Sequence, residues 1–248
     1  DLLMQTNRRK GLTKYHAKSV MIQRNYFASM MVRTGAADAM ISGYSRAFPM
    51  VLRPVFEVIG TAEGVQKAAT MNVMLTSRGP LFLADTAINV DPTAEELAEI
   101  ALMTANAVKD LGYKPTIAML SHSNFGSSKK TQAVKVRQAV QMMHKYYPEI
   151  DIDGEVQSDF ALNAEMTAND FPFSKLTGKK VNTLIFPNLD AANITYKLMK
   201  ELHGVKSIGP IMLGLNHPVH ILQLRASVDE IVNMATFAVV DAQKQTKA

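Results

Sequence analysis

The chain has 248 residues, 47% hydrophobic and 20% charged, which is the balance of an ordinary globular protein long enough for one large α/β unit or two lobes. It contains no cysteine, which excludes disulfides, thiolate metal sites and a cysteine nucleophile, and fits a reducing, cytoplasmic setting. Its net charge of +5 is scattered and lacks interleaved aromatics, so no nucleic-acid platform is expected, and no apolar run reaches the length of a membrane span.

The opening residues turn polar at once, so no signal peptide is read there. Residues 14–33 form a helical region, with Asn25 as an internal cap and Gly35 as a stop. Residues 38–43 read as a short buried strand ending in a Ser42-Gly43 turn. Residues 47–59 are apolar at helical spacing, but Pro49 and Pro54 suggest two short pieces. Residues 69–76 and 80–85 are strands joined by Ser77-Arg78-Gly79, a hairpin expected at an antiparallel sheet edge. Thr93, followed three residues later by Glu96, is a capping box for a helix whose apolar stripe runs to Val108 and which stops at Gly112.

A strand at 116–120, a Ser/Gly loop and a helix at 131–147 follow. Then come a strand at 150–153, a helix at 159–167, a strand at 181–186, a helix at 190–203 and a strand at 208–213. Ser227, with Asp229 and Glu230 in the first turn, caps the last helix. Strands separated by helix-length segments predict an α/β fold with mostly parallel sheets, whose ligands bind beyond the carboxyl ends of the strands. That directs attention to the turns at 42–43, 121–128, 153–159 and 187–193. Sixteen methionines and no tryptophan suggest adaptable packing at an interface.

Residues 121–128, with four serines ahead of Lys129 and Lys130, make either a phosphate cradle or a connector whose last serine caps the helix. Asp153, Glu155 and Asp159 around Gly154 offer oxygen ligands, but turn-plus-cap is the stronger reading and EF-hand spacing is absent. Arg53 in apolar surroundings is either paired or faces an anion. The six histidines include no helical ligand pair, and no metal site is expected. Dinucleotide, Walker A and serine-elbow motifs are absent.

Nine segments, in order and across the whole chain, resemble the phosphate acetyltransferase and butyryltransferase family: RKGLT (9–13), GAADAMISG (35–43), LRP (52–54), ADTAINVDPTAEELA (84–98), AMLSHS (118–123), DGEVQ (153–157), LIFPNLD (184–190), NITYK (193–197) and IGP (208–210). The resemblance implies a two-lobed, three-layer α/β/α fold of the isocitrate/isopropylmalate dehydrogenase-like type. The first lobe would hold residues 1–66 and 217–248, the second 67–216, with a ligand cleft between them and assembly as a homodimer or higher homo-oligomer. The family's usual opening is missing, so a longer protein is expected.

Members of that family move an acetyl group between coenzyme A and phosphate, using arginines, a Ser-Arg pair in an Asn-Asp-Leu-Ser-Arg-Gly loop and an aspartate. Here the serine position is Gln223, the arginine position Leu224, the aspartate position Glu230, and a further arginine position Asn7. Only Arg53 matches. Leucine offers no donor to developing negative charge. This altered pattern, with GYSRAF (43–48) and HPVHIL (217–222), resembles the phosphotransacetylase-like domain of bacterial NADP-dependent malic enzymes.

That subgroup implies a domain without transferase activity that binds acetyl-CoA or a related acyl-CoA as an allosteric effector. Oxidation of malate to pyruvate, with NADP and a divalent metal, would belong to a catalytic part upstream in the same polypeptide. Arg53, Ser42, Gly43, Ser121, Ser123, Asn193 and Lys197 are the expected acetyl-CoA-binding residues. The alternatives are an active acyltransferase, with Arg225 replacing the lost arginine from one position along, and a dimerisation module with an empty cleft.

Overall fold

A computed structural model describes residues 2–6, 9 and 11–245. Its contacts define two units, Asp1–Gln66 with Gly209–Ala248, and Lys67–Ile208. The chain returns to the first unit at Gly209, whereas the sequence reading placed that return at His217.

The first unit begins with α1 (Leu2–Thr6), α2 (Lys14–Met21) and α3 (Arg24–Arg33). Thr13 caps α2 by accepting the His16 N–H at 3.2 Å. The helical region expected over 14–33 with an internal cap is two helices, parted at Ile22 and Gln23, and Gln23 takes the N-cap of α3. Asn25 is no cap: it is buried inside α3, and its Oδ1 accepts the Ser42 hydroxyl at 2.8 Å. A long-range partner thus outcompetes the local capping bond.

Next come β1 (Met40–Ser42) and α4 (Phe48–Val58). The two short pieces expected around Pro49 and Pro54 are one helix. Pro49 sits in its first turn, where its missing N–H costs nothing. Pro54 is interior, but the carbonyl it leaves without a donor belongs to Met50, which is exposed to water.

In the second unit, β2 (Ala69–Thr76) and β3 (Gly79–Ala84) form the predicted hairpin. They are followed by α5 (Ala94–Asp110), β4 (Thr116–Leu120), α6 (Thr131–Tyr146), β5 (Asp151–Val156), α7 (Ser158–Leu162), α8 (Ala164–Asp170), β6 (Thr183–Ile185) and α9 (Leu189–His203). The chain then runs along β7 (Lys206–Leu213), through β8 (Val219–Ile221), to α10 (Val228–Gln245). In the first unit β1 and β8 pair in parallel, Ser42 opposite Ile221.

The larger sheet has the order β5-β4-β6-β3-β2-β7. Pairings β3–β6, β6–β4 and β4–β5 are parallel, and β2–β3 is antiparallel. The hairpin therefore lies inside the sheet, not at its edge, because β7 adds beyond β2. Period-two alternation splits the buried strand residues between two faces. Ala118, Leu120, Leu83 and Leu184 pack with Ala161 of α7 and with Ala192 and Tyr196 of α9. α5 and α6 contact each other and the same strands, and the helices flank the sheet as an α/β arrangement.

The capping box is formed as the spacing predicts. Thr93 Oγ1 accepts Glu96 N–H at 3.3 Å, and Glu96 Oε2 accepts Thr93 N–H at 3.0 Å. Thr93→Ala should lower stability by about 1 kcal/mol, read as a reduced denaturation midpoint with an unchanged slope. Ser227 and Glu230 make the same reciprocal pair at the start of α10, at 2.7 and 3.2 Å.

Candidate functional site

In the first unit the carboxyl ends of β1 and β8 lie side by side, so the turns that follow them adjoin. Leu222 N–H donates to Ser42 O at 2.7 Å and Arg225 N–H to Tyr44 O at 3.3 Å. Gly43 is the pivot. Its φ of +122° suits glycine, and a Cβ there would stand 2.3 Å from Leu222 O. Arg225 also has a positive φ, +61°. Among the described residues the side chains of Arg46 and Arg225 make no hydrogen bond or ion pair, so this corner presents two unengaged guanidinium groups.

Arg53 projects from α4 with 75% of its side chain exposed and binds Glu57 Oε1 at 2.8 Å. Glu57 Oε2 in turn accepts the Tyr26 hydroxyl at 2.5 Å. Burial, the hydrogen bond to Glu57 and its charge push the Tyr26 phenol up to about 12. Tyr26 is thus a fixed donor that holds Glu57, and Glu57 holds Arg53.

The resemblance puts a catalytic serine and arginine at Gln223 and Leu224. The structure places both on the turn after β8, and Leu224 is 57% exposed with only an alkyl side chain to offer. Glu230 uses a carboxylate oxygen to cap α10. Asn7 lies outside the described residues. His220, in the middle of β8, is buried, with its Nε2 2.9 Å from Asp241 Oδ2 and its Nδ1 3.4 Å from Met212 N. It ties β8 to α10 and β7, as a core histidine would.

In the second unit, the turns after β3, β6 and β4 all sit at the carboxyl ends of parallel strands, and β5 ends beside them. The expected glycine turn at 153–159 is a correction: residues 153–156 belong to β5, and Asp153 and Glu155 point into buried networks. Asp153 Oδ2 accepts the Ser174 hydroxyl and Lys175 N–H, both at 2.8 Å.

Glu155 is fully buried. Its Oε1 accepts Arg137 Nη2 at 2.7 Å, Ser123 Oγ at 2.8 Å and Gly126 N–H at 3.0 Å, while Oε2 accepts Arg137 Nε at 3.0 Å. Burial alone would push this carboxyl up. The bonds from Arg137, Ser123 and Gly126 outweigh it and hold the group below the usual glutamate value.

Ser123 is therefore buried and engaged, a positioning residue of the 121–128 loop. The connector reading of that loop fails in its cap, since Lys130, not Ser128, takes the N-cap of α6 and makes no side-chain capping bond. Ser121 is half-buried at the end of β4. Its N–H donates to Val156 O, and its hydroxyl has no partner among the described residues. Ser121, Lys129 and Lys130 with the uncapped start of α6 form the anion-friendly part of the loop.

Asn193 in the first turns of α9 donates to Thr86 O at 3.1 Å, joining the turn after β6 to the turn after β3. Lys197 lies one turn further along, exposed, with its Nζ 6.0 Å from the Tyr196 ring centroid. β6 lies between β3 and β4 in the sheet, so the turn that Asn193 reaches and the Ser121 loop follow strands that are not neighbours. Sequence reasoning missed the network beneath them. Asp85, buried, accepts the N–H groups of Thr70, Ala87 and Asn89 at 3.0, 3.1 and 2.7 Å and the Asn89 amide at 2.6 Å. The signal was an aspartate at a strand end with Asn89 four residues on, able to close an Asx-type turn.

Among the described residues no group of three or more His, Cys, Asp or Glu side chains is placed to hold a metal ion. Among the described residues no helix is long and apolar enough to cross a membrane.

The whole of this arrangement has relatives. The chain is 42% identical over 244 residues to the NADP-dependent malic enzyme of Escherichia coli, covering 97% of this chain and 32% of that protein. It is 36% identical over 236 residues to the phosphate acetyltransferase of Bacillus subtilis, covering 95% of this chain and 73% of that one. A phosphotransacetylase crystal structure from Streptococcus pyogenes superposes with a TM-score of 0.88 at 36% identity, over 97% of this chain and 73% of the other. The chain thus spans about a third of the length of the malic enzymes it matches. With residues 1–239 matching the family model for phosphate acetyl/butaryl transferase, and both lobes of sequence represented in the solved relative, the chain belongs to that family.

Proposed function

We propose that this chain is an acyl-CoA-sensing module of an NADP-dependent malic enzyme, which binds acetyl-CoA without transferring its acetyl group. The observation that carries this reading is the turn after β8. Its backbone and the adjoining Gly43 turn are formed, but Gln223 and Leu224 supply neither a nucleophile-positioning hydroxyl nor a guanidinium. A transferase needs donors aimed at developing negative charge; a sensor needs only binding energy that differs between two states. The residues proposed to meet acetyl-CoA are those the resemblance assigns to it: Arg53, Ser42, Gly43, Ser121, Asn193 and Lys197. Ser123 would act by holding the loop. Malate oxidation, NADP and the divalent metal would reside in the remainder of a longer, cytoplasmic, homo-oligomeric enzyme.

Calorimetric titration of the chain with acetyl-CoA should give saturable heat. Arg53→Glu, which reverses an exposed charge, should weaken binding about tenfold or more. A flat titration of the folded oligomer would overturn the reading.

The second reading, an active acyltransferase, is favoured by one feature. Arg225 stands one residue past the missing arginine, in a left-handed conformation on the same turn. It predicts turnover that collapses with Arg225→Ala.

A further inference from the structure

The second unit contains a cavity of about 790 Å³, a size typical of small-molecule sites. It is bounded by the β2–β3 turn, the segment before β6, the α7–α8 junction and the end of α9. Because β3 starts at Gly79 and runs parallel to β6, this cavity lies at the amino ends of those strands. The turns at Asp85 and Pro187 lie at their carboxyl ends, so the cavity is separate from the site above.

Its wall is aliphatic, with Leu75, Leu81, Leu162, Val181 and Met199 as the main contributors. Leu75 and Leu162 are 47% and 41% exposed and leave apolar surface in water at this wall. Among the described residues, no aromatic ring and no carboxylate lines the space, and the charged side chains that do are Arg78, Lys179 and Lys180. Lys179 is paired with Asp151 at 2.7 Å, and the Lys180 ammonium donates to the Arg78 carbonyl. The Arg78 guanidinium makes no hydrogen bond or ion pair among the described residues.

We propose that this cavity binds an aliphatic anion: a saturated chain of medium length ending in a carboxylate. The chain would lie against the leucines and Met199, removing exposed apolar surface from water. The head would meet the Arg78 fork, whose geometry matches a carboxylate, with Lys180 adding positive charge nearby. A flat aromatic ligand would find no stacking partner here, and a cation would find no counter-charge. The site makes no use of the residues assigned to acetyl-CoA, so each can fail without the other.

The test is calorimetric titration of the full chain with decanoate below its micellar concentration. Saturable binding of one decanoate per chain is expected, with no competition from decyltrimethylammonium. Arg78→Glu and Leu162→Glu should each weaken it about tenfold or more. Both replaced side chains are exposed, and unchanged acetyl-CoA heats and thermal melts would report that the fold is intact. No saturable decanoate binding, equal binding of the cationic amphiphile, or indifference to both substitutions would overturn the proposal.

Discussion

Gly43→Ala is expected to destabilise the first unit by about 3 kcal/mol or more, combining a strained positive φ with an overpacked contact. The added Cβ would stand 2.3 Å from Leu222 O, a backbone atom that cannot rotate away. That carbonyl belongs to the turn carrying Gln223, Leu224 and Arg225, so relief of the clash must move the turn. The thermal midpoint should fall by roughly 6–12 °C, and acetyl-CoA binding should weaken in the fraction that stays folded. Gly60→Ala is the matched control. Its φ is +71°, and a Cβ there would meet nothing within 4 Å. It should cost only about 1–2 kcal/mol, the strain of the left-handed backbone alone, and leave binding unchanged. Equal losses for the two variants would show that the contact between the turns is not what demands glycine.

Glu155→Ala should cost the second unit about 3 kcal/mol, because it leaves the Arg137 guanidinium and the Ser123 hydroxyl facing an empty buried site. Adding Arg137→Met to Glu155→Ala should recover much of the loss, since an apolar replacement of both partners leaves no uncompensated charge. The same pair predicts acid sensitivity. The Glu155 carboxyl titrates lower in the folded chain than in the unfolded one. The unfolded chain therefore takes up protons first as pH falls, and stability declines below the ordinary glutamate range until the native value is passed. Above that range the contribution is complete. Chemical denaturation from about pH 6 down to about pH 3 should show a steeper fall for the parent chain than for the double variant, with the difference opening below the ordinary glutamate value.

Much of the fold could be read from local signals. The Thr93–Glu96 box, the Ser227–Glu230 pair, β4 and the hairpin depend on neighbours within a few residues, and the structure has each where periodicity and capping place it. Two of the misreadings share one cause, a partner far away in sequence, and a third rests on solvent. Asp153 and Glu155 look like turn acids, but Ser174 and Arg137 satisfy them inside β5. Asn25 looks like a cap but is held by Ser42. Pro54 looks like a breaker, yet solvent at Met50 makes it tolerable. Nothing local announced β7 outside the hairpin, because strand order is decided by which faces must be covered.

The candidate site was legible in a different way. The Ser42-Gly43 turn is legible as a post-strand turn and the 223–225 turn only through resemblance, and their adjacency follows from the β1–β8 pairing, which no periodicity encodes. The resemblance identified Ser123 without its role. A serine in a Ser-rich loop looks open to a ligand until Glu155 is found beneath it.

The central claim is that the turn after β8 keeps its architecture and has lost its chemistry. Phosphate-dependent release of coenzyme A thiol from acetyl-CoA, measured at concentrations that saturate binding by calorimetry, tests it most directly. No release above the uncatalysed blank is expected from the parent chain, with bound acetyl-CoA recovered intact. Sustained turnover that disappears in Arg225→Ala would contradict it and make the chain a working acyltransferase.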